Sequence, residues 1–214
     1  MYYREINEQV RAKLGGSHSA KLLMYSVDFA EFEVLQHQGN WSELTRLMLD
    51  AAVRLKNGGA ECIVICTNTM HKLAEEVEAG VGLPLLHIAD AAAGAIQQKG
   101  LAQVGLLGTK FTMEQDFYKT RLLAKHQIGV IVPEEEEREL IHSVIYNELV
   151  KGKVLQTSRE NYLAIINKLK KRGAQGIVLG CTEIPLLIRQ QDTDIPVFDT
   201  VSLHAAAAVE YALR

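Results

Sequence analysis

Two stretches of the chain repeat one pattern, and each carries a residue able to move a proton. Gly59-Ala60-Glu61-Cys62-Ile63-Val64-Ile65-Cys66-Thr67-Asn68-Thr69 aligns with Gly173-Ala174-Gln175-Gly176-Ile177-Val178-Leu179-Gly180-Cys181-Thr182-Glu183 at a constant offset of 114, which sets Thr67 against Cys181. The likeness resumes where Leu83-Pro84-Leu85-Leu86-His87 answers Ile195-Pro196-Val197-Phe198-Asp199. Half-molecules are therefore repeated, and a duplication of this kind sets equivalent loops face to face across a pseudo-twofold axis. Function is expected between Thr67 and Cys181. A thiol at a helix amino terminus has its pKa drawn below the ordinary value of about 8.5, which makes Cys181 a candidate general base or nucleophile. The plainer reading of a lone cysteine is a small buried hydrophobe.

The elements that hold these residues read as a parallel α/β fold, with short β-branched and leucine-rich runs alternating with helical patterns. Strands are expected at 21–27, 62–66, 84–88, 104–108, 129–132, 176–179 and 196–198, the first three in one half and the last four in the other. Helices are expected at 41–56, with Leu44, Leu47, Met48, Ala51 and Leu55 on one face, and at 136–150, with Leu140, Ile141, Val144, Ile145 and Leu149. The acidic run Glu134 to Glu137 follows a proline and reads as a helix amino terminus rather than as chemistry. Two similar parallel-sheet domains result: residues 1–98, joined by a carboxyl-terminal helix over 201–214, and residues 99–200. Phe117-Tyr118-Lys119 answers Tyr2-Tyr3-Arg4, and a strand precedes only the second of these helices in the sequence. The first domain is thus expected to lack its first strand, leaving an open strand position that lowers stability and favours association.

Thr67-Asn68-Thr69 and Cys181-Thr182-Glu183 fall at strand-to-helix junctions, where ligands of parallel sheets bind. Helix capping accounts for Thr69 and Thr182 equally well, but poorly for Cys181. Strand side chains alternate, so if Thr67 faces the cleft then Cys66 faces the core, and Cys62 joins it there.

The 214 residues are 48% apolar and 23% charged, with a net charge of −3 and no polybasic run, which gives no reason to expect nucleic acid or an anionic membrane as partner. No apolar run approaches the ~20 residues of a membrane span. Three cysteines without scaffold spacing suit a reducing cytoplasm, and no second Cys or His pair follows Cys62 and Cys66 at a metal-ligand spacing. No secretory signal is read at the amino terminus.

Cys-Thr-Asn-Thr-Met-His at Cys66 to His71, Gly-Cys-Thr-Glu at Gly180 to Glu183, Gly-Thr-Lys-Phe-Thr at Gly108 to Thr112, and Tyr2-Tyr3 with Ile6-Asn7 resemble the aspartate/glutamate racemase family. The resemblance runs over essentially the whole chain. It implies an active site between two similar α/β domains, no pyridoxal phosphate or metal, and a homodimer. It also implies a cysteine from each half on opposite faces of the substrate α-carbon, one thiolate removing the proton and the opposing thiol returning it. The sequence departs from that pattern at Thr67-Asn68-Thr69, where the family has Cys-Asn-Thr. A hydroxyl is a much weaker acid than a thiol, so Thr67 is expected to donate a proton, directly or through water, to a carbanion made by Cys181. Sequences with threonine here form a subgroup of broad or aspartate/glutamate-specific amino acid racemases, which this chain most resembles. A second departure is the first strand and its glycine-rich loop, which the family uses to hold the substrate carboxylate.

For a small amino acid substrate, most readily aspartate or glutamate, Asn68, Thr69, Thr109, Thr112 and Thr182 supply groups suited to carboxylates and to an enediolate-like intermediate. Glu183 serves either an ammonium group or the helix amino terminus. Lys110 and Lys151 are candidates for a side-chain carboxylate against the ordinary reading of solvated lysines. His71 and His87 read as supporting residues. Two other readings compete: a decarboxylase of the same fold, whose single thiol protonates one face of an enediolate, and a ligand-binding pseudoenzyme.

Overall fold

A computed structural model describes residues 1–214. Ten α-helices surround two parallel sheets: α1 (Tyr2–Leu14), α2 (Phe29–His37), α3 (Trp41–Asn57), α4 (Ala74–Val81), α5 (Ile88–Gln98), α6 (Lys110–Glu114), α7 (Asp116–His126), α8 (Glu135–Asn147), α9 (Gln156–Lys171) and α10 (Thr200–Ala212). The first sheet has two strands, β1 (Ile63–Val64) and β2 (Leu85–Leu86). The second has four, β3 (Gln103–Gly108), β4 (Gly129–Ile131), β5 (Ile177–Gly180) and β6 (Val197–Asp199), in the order β4-β3-β5-β6. All pairs are parallel, so the connections within each sheet cross over, through α-helix except between β5 and β6, where two 3₁₀ turns carry the chain. No helix is long and apolar enough to cross a membrane.

The helical stripes bury as their spacing demands. Leu44 and Ala52 of α3 are buried with Leu47, Met48 and Leu55 packed behind them, and Ile141, Val144 and Ile145 of α8 reach the core of the second sheet. The acidic run begins α8 with a capping box, in which Glu134 and Glu137 satisfy one another's backbone N–H groups. The helix ends at Asn147, and a 3₁₀ turn over Leu149–Lys151 carries the chain on.

Residues 21–27 are not a strand. Leu23, Met24, Tyr25 and Val27 lie exposed in an irregular segment, and β1 pairs with β2 alone. Branched and aromatic composition favours extended backbone, but a strand exists only where a neighbour takes up its N–H and C=O groups.

Beneath the site the ends of two neighbouring strands approach closely. Gly108 and Gly180 are paired in the β3–β5 register. A Cβ on Gly108 would stand 2.8 Å from the Gly180 carbonyl oxygen, and one on Gly180 would stand 3.0 Å from that of Leu107. Glycine at both places lets β3 and β5 deliver Thr109 and Cys181 side by side.

Candidate active site

β1 and β5 both end in a turn rather than a long helix. After β1 the chain passes Cys66-Thr67-Asn68 into a 3₁₀ turn, Thr69–Leu73; after β5 it passes Cys181-Thr182-Glu183 into another, Ile184–Leu186. Cys66, Thr67, Asn68, Thr69, Thr109, Cys181, Thr182 and Glu183 line one cavity of about 310 Å³. Thr112 is fully buried just behind, joined to it through hydroxyls.

Cys181 is buried, and its Sγ–H donates to Glu183 Oε2 at 3.0 Å. Its pKa is therefore not depressed. Burial and the adjacent Glu183 carboxylate push the thiol well above its ordinary value, against a smaller pull from backbone N–H groups. The expectation of a lowered pKa fails because burial, and then Glu183, outweigh the backbone N–H groups of the short 3₁₀ turn that follows the cysteine. Glu183 makes no side-chain cap; its role in the fold is to accept from the thiol.

On the other wall, Thr67 is half-buried and its carbonyl accepts from His71 Nδ1 at 2.7 Å. His71 Nε2 in turn accepts from the Ile88 N–H at 3.1 Å, which fixes the tautomer and ties the Thr67 loop to the start of α5. His87 accepts from Ala89 N–H and caps α5. Both histidines are buried outside the cavity lining, in the supporting positions expected for them.

Asn68 is held by Thr200, a residue the sequence offered no reason to choose. Thr200 Oγ1 donates its one proton to the Leu179 carbonyl at 2.8 Å, so it must accept from Asn68 Nδ2 at 3.0 Å. That fixes the amide and leaves Asn68 Oδ1 buried with no partner from the protein. Thr69, Thr109 and Thr112 form a ring of hydroxyls at 3.0, 3.3 and 3.2 Å that joins the first half of the chain to the second. Thr109 also caps α6, whereas Thr69 caps nothing.

Cys66 overturns its expected place. It is exposed and lines the cavity next to Thr67, because β1 stops at Val64 and strict alternation ends with it. Cys62 is only half-buried. Lys110 Nζ is paired with Glu139 at 2.6 Å, Lys151 is exposed, and neither lines the cavity. The remaining wall comes from residues distant in sequence: Phe29 and Gln36 of α2, Ile145 and Tyr146 of α8, and Val150.

Parallel sheets wrapped by helices, with a thiol and a hydroxyl from equivalent loops in one cavity, define an α/β protein. The chain belongs to the Asp/Glu/Hydantoin racemase family, whose profile matches residues 1–208. It is 55% identical to a putative Asp/Glu racemase from Yersinia pestis, covering 100% of this chain and 93% of that one with a TM-score of 0.92. An aspartate racemase homologue from Pyrococcus horikoshii OT3 is 36% identical, covering 100% and 92%, with a TM-score of 0.86. The broad specificity amino-acid racemase RacX of Bacillus subtilis (strain 168) is 23% identical over 174 residues, 78% of this chain and 71% of RacX.

Proposed function

We propose that the protein racemises amino acids without a cofactor, Cys181 removing the α-proton on one face and Thr67 supplying a proton on the other. The observation that carries this reading is that Cys181, with Glu183 on its thiol, lines the same cavity as Thr67. At rest the thiol keeps its proton, since a thiolate beside a carboxylate in a buried site is costly. An incoming α-ammonium offsets that negative charge, and Glu183 accepts the thiol proton as the thiolate forms. The Cα–H bond then breaks as an S–H bond forms. Asn68, whose amide Thr200 orients and whose Oδ1 no protein group uses, lines the cavity beside the place of the ammonium. The hydroxyls of Thr69, Thr109 and Thr182 face the carboxylate, where negative charge grows in the enediolate; Thr112 holds the first two in place. Reprotonation by the Thr67 hydroxyl gives the mirror image, and the oxygen left on Thr67 takes a proton from solvent as Glu183 releases the one it accepted, which restores the resting state. Aspartate and glutamate meet the α-carbon requirements like any amino acid; the side chain is a separate matter.

One observation favours a variant of this scheme: Cys66 shares the cavity, so a second thiol is available on the Thr67 side. Racemisation of a panel of amino acids, followed by chiral chromatography, separates the two. Cys181→Ala is expected to abolish turnover, Thr67→Ala to slow it by about 100-fold or more, and Cys66→Ala to retain it. Loss with Cys66→Ala and retention with Thr67→Ala transfers the second role to Cys66. Full activity in Cys181→Ala overturns the reading.

A further inference from the structure

We infer that the site selects amino acids with uncharged, largely apolar side chains and discriminates against aspartate and glutamate; this rests on the racemase reading above. The polar groups of the cavity are concentrated on the two strand-end loops, where the α-carbon substituents would be held. The remaining wall is Phe29, Ile145, Tyr146 and Val150, with Gln36 as its one amide. Phe29 and Tyr146 stack with ring centroids 6.4 Å apart and planes 21° from parallel, joining α2 to α8. The polar atoms of this wall, those of Tyr146 and Gln36, are turned toward one another and toward Met70. Tyr146 O–H donates to Gln36 Oε1 at 3.2 Å, and Gln36 Nε2 reaches Met70 Sδ at 3.2 Å. Gln36, itself part of the wall, is largely buried and holds the tyrosine hydroxyl from the side of α2.

No lysine or arginine lines the cavity, and its one charged side chain is Glu183. The nearby cation Lys110 is spent on Glu139. His142, in the aromatic cluster behind Tyr146, accepts from the Lys110 N–H, and burial lowers its pKa and keeps it neutral. A substrate's α-carboxylate meets hydroxyls, but a second carboxylate meets hydrocarbon and a like charge. The wall is part-exposed at Phe29 and Val150, so a side-chain carboxylate there loses only part of its hydration, but it finds no cation to offset that loss. The same wall rewards a thioether or aliphatic side chain through apolar contact and sulfur–aromatic packing.

Methionine, glutamine, glutamate and lysine provide the test, since the first three have side chains of similar length and the set spans three charges. The expected kcat/KM for methionine exceeds that for glutamate by about 100-fold, with glutamine between them. Glutamate or lysine turned over as well as methionine overturns the inference while leaving the racemase reading standing. If none of the four is turned over, that reading fails by itself, and calorimetric binding of the same four decides the side-chain question. Methionine bound tightest supports the inference; glutamate or lysine tightest, or no binding, overturns it. Val150→Lys, which sets a cation at the half-exposed mouth, is expected to narrow the methionine-to-glutamate ratio by about tenfold. An unchanged ratio rules out this wall as the discriminating surface.

Discussion

The residue that most alters the reading of the site is Thr200. It donates to Leu179 and accepts from Asn68, so one hydroxyl couples the β5 backbone to a cavity side chain 132 residues away in sequence. No motif could have revealed that, because the pairing exists only once the two loops meet. Thr67, Asn68, Cys181 and Glu183 were legible, since each sits at a repeated strand end where small polar side chains have no core to fill. The state of the thiol was not legible, because it depends on the direction Glu183 takes. Thr200→Val keeps the shape but removes the partner that orients Asn68. The expected outcome is a kcat/KM lowered about tenfold, chiefly through KM, with Thr200→Ser restoring most of it. Wild-type kinetics in Thr200→Val would show that the Asn68 amide needs no such support.

At the scale of elements, the second sheet was readable almost residue by residue, because its central strands β3 and β5 are apolar runs buried on both faces. The segment over 21–27 was misread because apolar composition cannot report whether a partner strand is present. Between elements, three buried histidines tie the first half together. His71 joins the Thr67 loop to α5, His87 caps α5, and His204 of α10 donates through Nε2 to the Leu86 carbonyl while Nδ1 accepts from the Tyr2 hydroxyl. Burial holds all three neutral, taking His87 down to about 3 and His204 to about 4, with His71 well below its ordinary value. In the unfolded chain they protonate near pH ~6.5. Below that pH the unfolded state binds more protons than the folded one, so stability falls as pH falls, by up to about 1.4 kcal/mol per pH unit for each histidine until its folded pKa is reached. Urea midpoints measured from pH 7 to pH 5 are expected to drop steadily, and less steeply in His87→Asn, which keeps a cap. A flat profile would contradict the buried, neutral cluster.

Across the whole molecule, the repeat places the catalytic question between two halves. We propose the division into residues 1–98 joined by 201–214, and 99–200. The helices are exchanged between the sheets: Ile88, Ala89, Ala93 and Ile96 of α5 pack with Val104, Leu106, Val178 and Phe198 of the second sheet, while α10 packs on α1, α5 and β2. With the hydroxyl ring of Thr69, Thr109 and Thr112 and the Phe29–Tyr146 stack, this exchange holds the two loops in one cavity. The pairing of a thiol with a hydroxyl makes that cavity chemically lopsided. Because the equilibrium constant of racemisation is one, kcat/KM must be equal in the two directions, so the asymmetry shows in kcat and KM taken separately or in proton exchange. The deciding measurement is solvent deuterium incorporation at the α-carbon, followed separately for the two enantiomers of the preferred substrate. The account predicts exchange that outruns racemisation for one enantiomer alone and vanishes for both in Cys181→Ala. Equal exchange for both enantiomers, or exchange that survives the loss of Cys181, would contradict it.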